Sequence, residues 1–176
     1  MNKGFTIIEL IISIFILSIA IIGVYGAFSA MVILTSSTAD RLTAAYLAQE
    51  GAEVIRNIRD NNWLLENTWD EGFSACKGGG CEVDYTTTGL FSNPVGAFGE
   101  NKLKKDTVSR FYNYETGEET NFTRKITIDC LPDNNCSTDY IMKVIVEVSW
   151  DEKPNILNPV GMTNSIKVED TLYNWY

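Results

Sequence analysis

Glu9 stands at the entrance to an apolar run that carries no charge from Leu10 to Ala39. A carboxylate at membrane depth costs about 2.5–3.5 kcal/mol even on lenient insertion scales. A group held at that cost normally has a partner, so Glu9 is a candidate for a specific ion contact. The other reactive side chains are four cysteines, Cys76, Cys81, Cys130 and Cys136. The chain has no histidine, which removes the commonest general base and metal ligand. It has no Gly-x-Ser-x-Gly, no phosphate loop and no dinucleotide fingerprint. Asp129, Asp133 and Asp139, with Asn134 and Asn135, do not follow an EF-hand pattern and read as solvated loop groups. The expectation is a non-enzyme without cofactor or metal.

The element that positions Glu9 is the apolar run itself. Leu10 to Leu34 is Ile, Leu, Val, Phe, Ala and Met31, broken only by Ser13, Ser18, Gly23, Tyr25, Gly26 and Ser29. It exceeds the roughly 20 residues that cross a bilayer as a helix and the roughly 7–15 of a cleaved signal. A plain signal anchor would explain its length but leaves Glu9 unexplained. The positive-inside tendency puts Lys3 in the cytoplasm and the bulk of the chain outside. The run continues without a breaker into Thr35 to Arg41 and then turns amphipathic. Ala44, Leu47, Gly51, Val54 (with Ile55) and Ile58 recur on one helical face. Glu50, Glu53, Arg56, Arg59 and Asp60 lie mostly off it. Glu53 with Arg56, and Arg56 with Asp60, have the spacing of ion pairs. No proline precedes Pro94. A single helix from about Phe5 to about Asn62 would be roughly 85 Å long, its first half sheathed by lipid or neighbours and its second half packed under a globular domain.

Met1-Asn2-Lys3-Gly4 followed by Phe5-Thr6-Ile7-Ile8-Glu9-Leu10 resembles the cleavage and methylation motif of type IV prepilins and pseudopilins. The resemblance implies cleavage between Gly4 and Phe5, N-methylation of Phe5, and pairing of Glu9 with the terminal amine of a neighbouring subunit. It implies as partners other pilin or pseudopilin subunits, a prepilin peptidase and methylase, an inner-membrane assembly platform and the lipid bilayer. After cleavage Phe5 would carry an ammonium at the same end as Glu9. One subunit's cation and another's carboxylate could then neutralise each other, a device for register more than for stability. The segment Ala45 to Asp60 is similar to that of PilV-type minor pilins, as is Val144-Ile145-Val146-Glu147-Val148-Ser149-Trp150 followed by a strand ending Thr171-Leu172-Tyr173-Asn174-Trp175-Tyr176. Many major pilins carry a proline within the apolar helix; here Gly26 stands at the matching place, with Gly23 one turn before.

Asn61 to Asn121 reads as irregular and rich in Gly, Asn and Thr. Its aromatics, Trp63, Trp69, Phe73, Phe91, Phe98, Phe111 and Tyr112, suit core packing better than a ligand platform. Three strand signals follow. Arg124 to Cys130 has Ile126, Ile128 and Cys130 on one side. Ile141 to Trp150 alternates with Met142, Val144, Val146, Val148 and Trp150 on one face. Ser165 to Tyr173 begins the same alternation at Ile166 and Val168. Turns fall at Asp151 to Asn155 and Asn158 to Gly161. Export past an oxidising surface favours disulfides. Two local bridges, 76–81 and 130–136, are favoured among the three pairings that four cysteines allow, with a four-thiolate zinc site as the rival.

The formal charge is −9, from 23 acidic and 14 basic residues. That balance argues against nucleic acid; Lys102, Lys104 and Lys105 form one small cluster that reads as solvated loop. The expected fold is α+β and type IV pilin-like, a long N-terminal helix against a small antiparallel sheet. The expected segments are a leader at 1–4, a transmembrane or filament-core helix at 5–34, its amphipathic half at 35–62 and a globular head at 63–176. Within the head, a variable region covers about 63–121 and strands cover about 122–176. The expected function is a structural subunit, a minor pilin or pseudopilin, of a type IV pilus or related secretion filament. The alternative is a membrane-tethered extracellular binding module with aromatic-rich loops.

Overall fold

The computed structural model describes residues 4, 6–87, 96–132, 136, 140–152 and 159–174. Helix α1 runs from Ile7 to Leu64, 58 residues in all, or about 87 Å at the usual rise. Thr6 precedes it in extended backbone, and its carbonyl accepts from the amides of Glu9 and Leu10 at 3.1 and 3.2 Å. The last turn reaches past Asn62 because the Arg59 guanidinium lies 4.5 Å above the Trp63 ring. The chain then reverses at Glu66, whose φ is 57°.

Seven strands follow: β1 (Cys81–Glu82), β2 (Gly96–Ala97), β3 (Lys102–Lys105), β4 (Tyr112–Asn113), β5 (Glu118–Leu131), β6 (Ile141–Glu152) and β7 (Met162–Tyr173). All pair antiparallel. β5 is central, with β6 and then β7 on one side. On its other side β3 takes the first part and β1 the second, carrying β4 and β2 respectively. The fold is therefore α+β, one long N-terminal helix packed on an antiparallel sheet.

Alternation decides which face of the sheet is covered. Met142, Val144, Val146, Val148 and Trp150 are all buried, as are Ile126, Ile128 and Cys130. α1 supplies Ala44, Leu47, Ala48, Ala52, Ile55 and Ile58 to the same core. Val54 is only half-buried, whereas Arg59 is buried. Arg56 pairs with Glu53 at 2.6 Å and reaches across to Asp170 of β7 at 2.5 Å; Asp60 takes Arg59 instead, at 2.7 Å. Helix and strands run nearly side by side. Asp40 feels the charge of Glu152, and Arg56 meets Asp170, which is opposite Val144. From Asp40 to Arg56 the helix rises about 24 Å, and from Glu152 to Val144 the strand covers about 26 Å.

Gly51 sets how close the two layers come. A Cβ there would sit 3.0 Å from Val146 Cγ1, 3.1 Å from Arg124 Cδ and 3.2 Å from Ile126 Cδ1. A side chain there would have to push these three side chains aside, so glycine lets α1 rest closely on β5 and β6.

The segment that reads as irregular holds β1 to β4 and the start of β5. Lys102, Lys104 and Lys105 form a strand against β5, with Lys102 paired to Thr123 and Lys105 to Glu118. Two- and four-residue strands are too short to show an alternation, and their pairing with the long β5 decides their conformation. Polar side chains shape the links between them. The Glu82 carboxylate accepts from the amides of Gly99 (3.1 Å) and Asn101 (2.9 Å) and from the Asn101 side chain (2.7 Å). Asn113 Oδ1 accepts from the amides of Glu115 and Thr116. Trp69 and Phe73 are buried, Phe98 is half-buried beneath Lys125, and Phe111 is exposed; Phe91 lies outside the described residues.

Replacing Gly51 by Leu should lower the stability of the head by roughly 1–3 kcal/mol, the usual cost of overpacking. Denaturant unfolding of the detergent-solubilised chain, followed by tryptophan fluorescence, reads this as a fall in midpoint.

Candidate assembly site at the helix start

Glu9 occupies the first turn of α1. Its carboxylate is exposed, and Thr6 Oγ1 donates to its Oε2 at 3.5 Å. The unpaired amides of a first turn carry a partial positive charge that favours an anion there. Thr6 and Glu9 have the spacing of a capping box, Thr-x-x-Glu, a local signal not used in the sequence reading. The box is not closed, since Thr6 makes no side-chain hydrogen bond to the helix amides. The carboxylate thus keeps most of its acceptor capacity. Gly4 is exposed; Phe5 lies outside the described residues.

Around Glu9 the helix is apolar on every side and covered by nothing. Ile7 is 79 % exposed, Phe15 65 % and Ile22 72 %. This part of α1 is long and apolar enough to cross a membrane, and none of its most apolar stretch is buried within the protein. Its hydroxyls turn inward on the helix: Ser13 donates to the Glu9 carbonyl at 2.7 Å, Ser18 to Ile14 at 2.7 Å, Ser29 to Tyr25 at 3.1 Å and Thr35 to Met31 at 2.8 Å. Such back-bonding satisfies each hydroxyl without water. The exposed surface can therefore be solvated by lipid tails or by equally apolar helices.

The sequence-predicted cysteines are far from Glu9 along the chain and lie in the head. The structure joins Cys76 to Cys81 and Cys130 to Cys136. Trp69 Nε1 donates to the Cys136 carbonyl at 2.7 Å, which ties the second loop to the chain leaving α1. Among the described residues no cysteine is free, and no cluster of His, Cys, Asp or Glu could hold a metal ion. Asp133, Asp139, Asn134 and Asn135 lie outside the described residues.

A second polar centre ties the head to α1. Arg124 is fully buried. Its guanidinium donates to the Leu47 carbonyl of α1 at 3.0 Å and to the Val83 carbonyl beyond β1, and lies 3.7 Å from Glu50. Arg124 shares the inward parity of Ile126, Ile128 and Cys130. Burial pushes the Glu50 carboxyl up; Arg124 opposes the rise and Asp84 adds to it. Burial also pushes the nearby Tyr114 hydroxyl up to about 12. Near the base of the head, burial and then the Glu152 carboxylate raise Asp40 above its ordinary 3.8.

Residues 1–25 match the family model described as the prokaryotic N-terminal methylation motif. That match supports a type IV pilin-like or pseudopilin subunit. It contains Gly4, Phe5, Glu9 and the first part of the uncovered apolar helix. It also supports a membrane-anchored precursor that later enters a filament. No curated protein and no solved structure matches this chain.

Two outcomes follow for the head. Replacing Arg124 by Met should cost roughly 1–3 kcal/mol, because the buried carbonyls it serves lose their donor. Lys should not rescue it, since a single ammonium cannot serve both carbonyls as a planar fork does; chemical denaturation of both variants checks this. Acidification acts with the same sign through Glu50 and Asp40. Each folded pKa is raised, so the charged form weakens the fold, and the penalty fades as pH falls through the folded value. Asp106 and Glu169 are held low, by backbone donors of Ser109 and Val108 and by Lys143 respectively. Their contributions persist above the unfolded values of 3.8 and 4.5 and are lost only as pH falls below these, through the folded values. The thermal midpoint should therefore rise as pH falls through the raised Asp40 value, which lies above 3.8, and Asp40→Asn should show a smaller rise from a higher start.

Proposed function

We propose that this protein is a minor pilin or pseudopilin, a structural subunit of a type IV pilus or a related type II secretion-like filament. It works without enzymatic activity or cofactor. Residues 1–4 are a leader, 5–34 a transmembrane and then filament-core segment, 35–62 the amphipathic half of the same helix, and 63–176 the head. A prepilin peptidase cuts between Gly4 and Phe5, and a methylase acts on the Phe5 amine. The precursor sits N-in and C-out in the cytoplasmic membrane, is drawn out by an inner-membrane assembly platform, and ends in an extracellular or periplasmic filament. PilV-type minor pilins are the subgroup it resembles.

One observation carries this reading. An apolar helix surface, bare on all sides, bears a single carboxylate in its first turn. Lipid solvates the apolar part before assembly and neighbouring helices solvate it afterwards. In either setting Glu9 needs a cation. The amine that cleavage exposes at Phe5 of a neighbouring subunit supplies one. A subunit docked out of register leaves a charge buried and unpaired, at a cost of roughly 3–5 kcal/mol.

The test is made in a strain with its own assembly machinery. Mass spectrometry of the exported protein should find N-methylated Phe5 as the first residue. Glu9→Ala should leave insertion intact but reduce the protein in sheared filaments at least about tenfold, matching a loss of 1.4 kcal/mol or more. Full incorporation of that variant would refute the pairing. A protein that keeps Met1 to Gly4 and never enters filaments is instead a tethered binding module.

A further inference from the structure

We infer that the base of the head is a second membrane contact. Exposed apolar turn tips there seat in the headgroup layer of the bilayer that holds α1. The inference rests on the membrane-anchored precursor described above.

The antiparallel register locates these tips. Lys105 pairs with both Glu118 and Tyr112, at the start of β5, and Glu152 pairs with Met162, at the end of β6. Because Phe122 pairs with Trp150, these strand ends lie at one end of the sheet. The charge of Glu152 acts on Asp40, and that of Asp40 on Tyr112. This end therefore lies beside helix residue Asp40, which faces the membrane, while Tyr140 and Tyr173 mark the far end.

Distance along α1 places that end against lipid. The unbroken apolar run stops at Leu34, so Asp40 stands about 9 Å beyond it. The headgroup layer is about 5–8 Å thick on each side of the hydrocarbon. The β3–β4 turn projects beyond Lys105, and two extended residues cover about 7 Å. Its tip therefore reaches headgroup depth.

Apolar groups occupy these positions. Val108 is 90 % exposed and Val160 88 %; Phe111, Met162 and Tyr85 are exposed as well. Phe111 and Tyr85 pack against each other with ring centres 5.4 Å apart. The β3–β4 turn is held in shape from within. The Asp106 carboxylate accepts from the amides of Val108 (2.9 Å) and Ser109 (2.7 Å), and the Asp106 amide donates to the Phe111 carbonyl at 2.9 Å. Val108 is thus presented outward in a fixed turn, with its apolar side chain offered to a non-aqueous phase. Charge does not draw this end to anionic lipid: among the described residues there, Arg41, Lys102, Lys104, Lys105 and Arg110 stand against Asp40, Asp106, Glu118, Glu119, Asp151 and Glu152. The contact is apolar and suits a zwitterionic headgroup layer.

The full chain, one copy per phosphatidylcholine nanodisc, is labelled with a fluorophore at Val24→Cys, Val108→Cys or Tyr140→Cys, all exposed positions. Quenching is read from lipids carrying a nitroxide near the headgroup or deep in the acyl chain. The deep quencher should act at position 24. The shallow quencher should act at position 108 severalfold more than at 140, and less when phosphatidylglycerol replaces part of the phosphatidylcholine. Quenching at 24 with none at 108 overturns this inference and leaves the anchor standing. No quenching at 24 overturns the anchor and this inference with it. Equal quenching at 108 and 140 also overturns the inference, as does a signal at 108 that appears only in discs holding two copies, which would make the occupant a second subunit.

Discussion

The first half of α1 has nothing inside its own chain to pack against. Apolar surface left in water costs about 25 cal/mol per Å², and this helix is bare around its full circumference. No rearrangement of the head could cover it, because the head begins to pack only near Ala44. The isolated chain is therefore incomplete in water, and a bilayer or a bundle of similar helices must complete it. Hydrophobic burial is non-directional, so an apolar rod alone could slide along its neighbours. In the proposed assembly Glu9 adds a specific demand, because a carboxylate at one end would select the registers that bring a cation to it.

The head answers a different demand, which is to grip the second half of that helix. Its grip uses three unlike contacts along one face. Gly51 permits close approach, Arg124 ties the helix backbone to β5 and to the chain after β1, and Arg56 reaches the edge strand β7 at Asp170. The buried apolar side chains between them supply most of the cohesion. Arg124 adds specificity of placement: its guanidinium must find two carbonyls in fixed positions or remain unsatisfied in a dry core.

Regular elements were legible because their periods are long and unbroken. The helix and the three long strands each repeat their pattern many times, and Met142 to Trp150 showed its buried face without ambiguity. The short strands β1 to β4 were not legible, since two residues carry no period and their partners lie far away in sequence. Glu82 and Asp84 carry no local pattern either. They accept hydrogen bonds from groups that only the folded chain brings within reach, such as the Tyr114 amide that meets Asp84 at 2.9 Å. Arg124 was the instructive case. Its strand parity pointed inward and its charge pointed outward, and the two backbone acceptors that resolve the conflict come from separate elements.

The order of residues at the amino terminus carries the processing and assembly chemistry proposed for this protein. Glycine, an aromatic, a carboxylate and then an apolar run are local facts, and helix formation needs only neighbours in sequence. Tertiary structure decided how the acidic head is held, which charges are buried, and which turn tips lie at the Asp40 end of the sheet. Those outcomes depend on contacts between residues more than seventy positions apart, such as Leu47 with Arg124, and no local pattern encodes a distance of that kind.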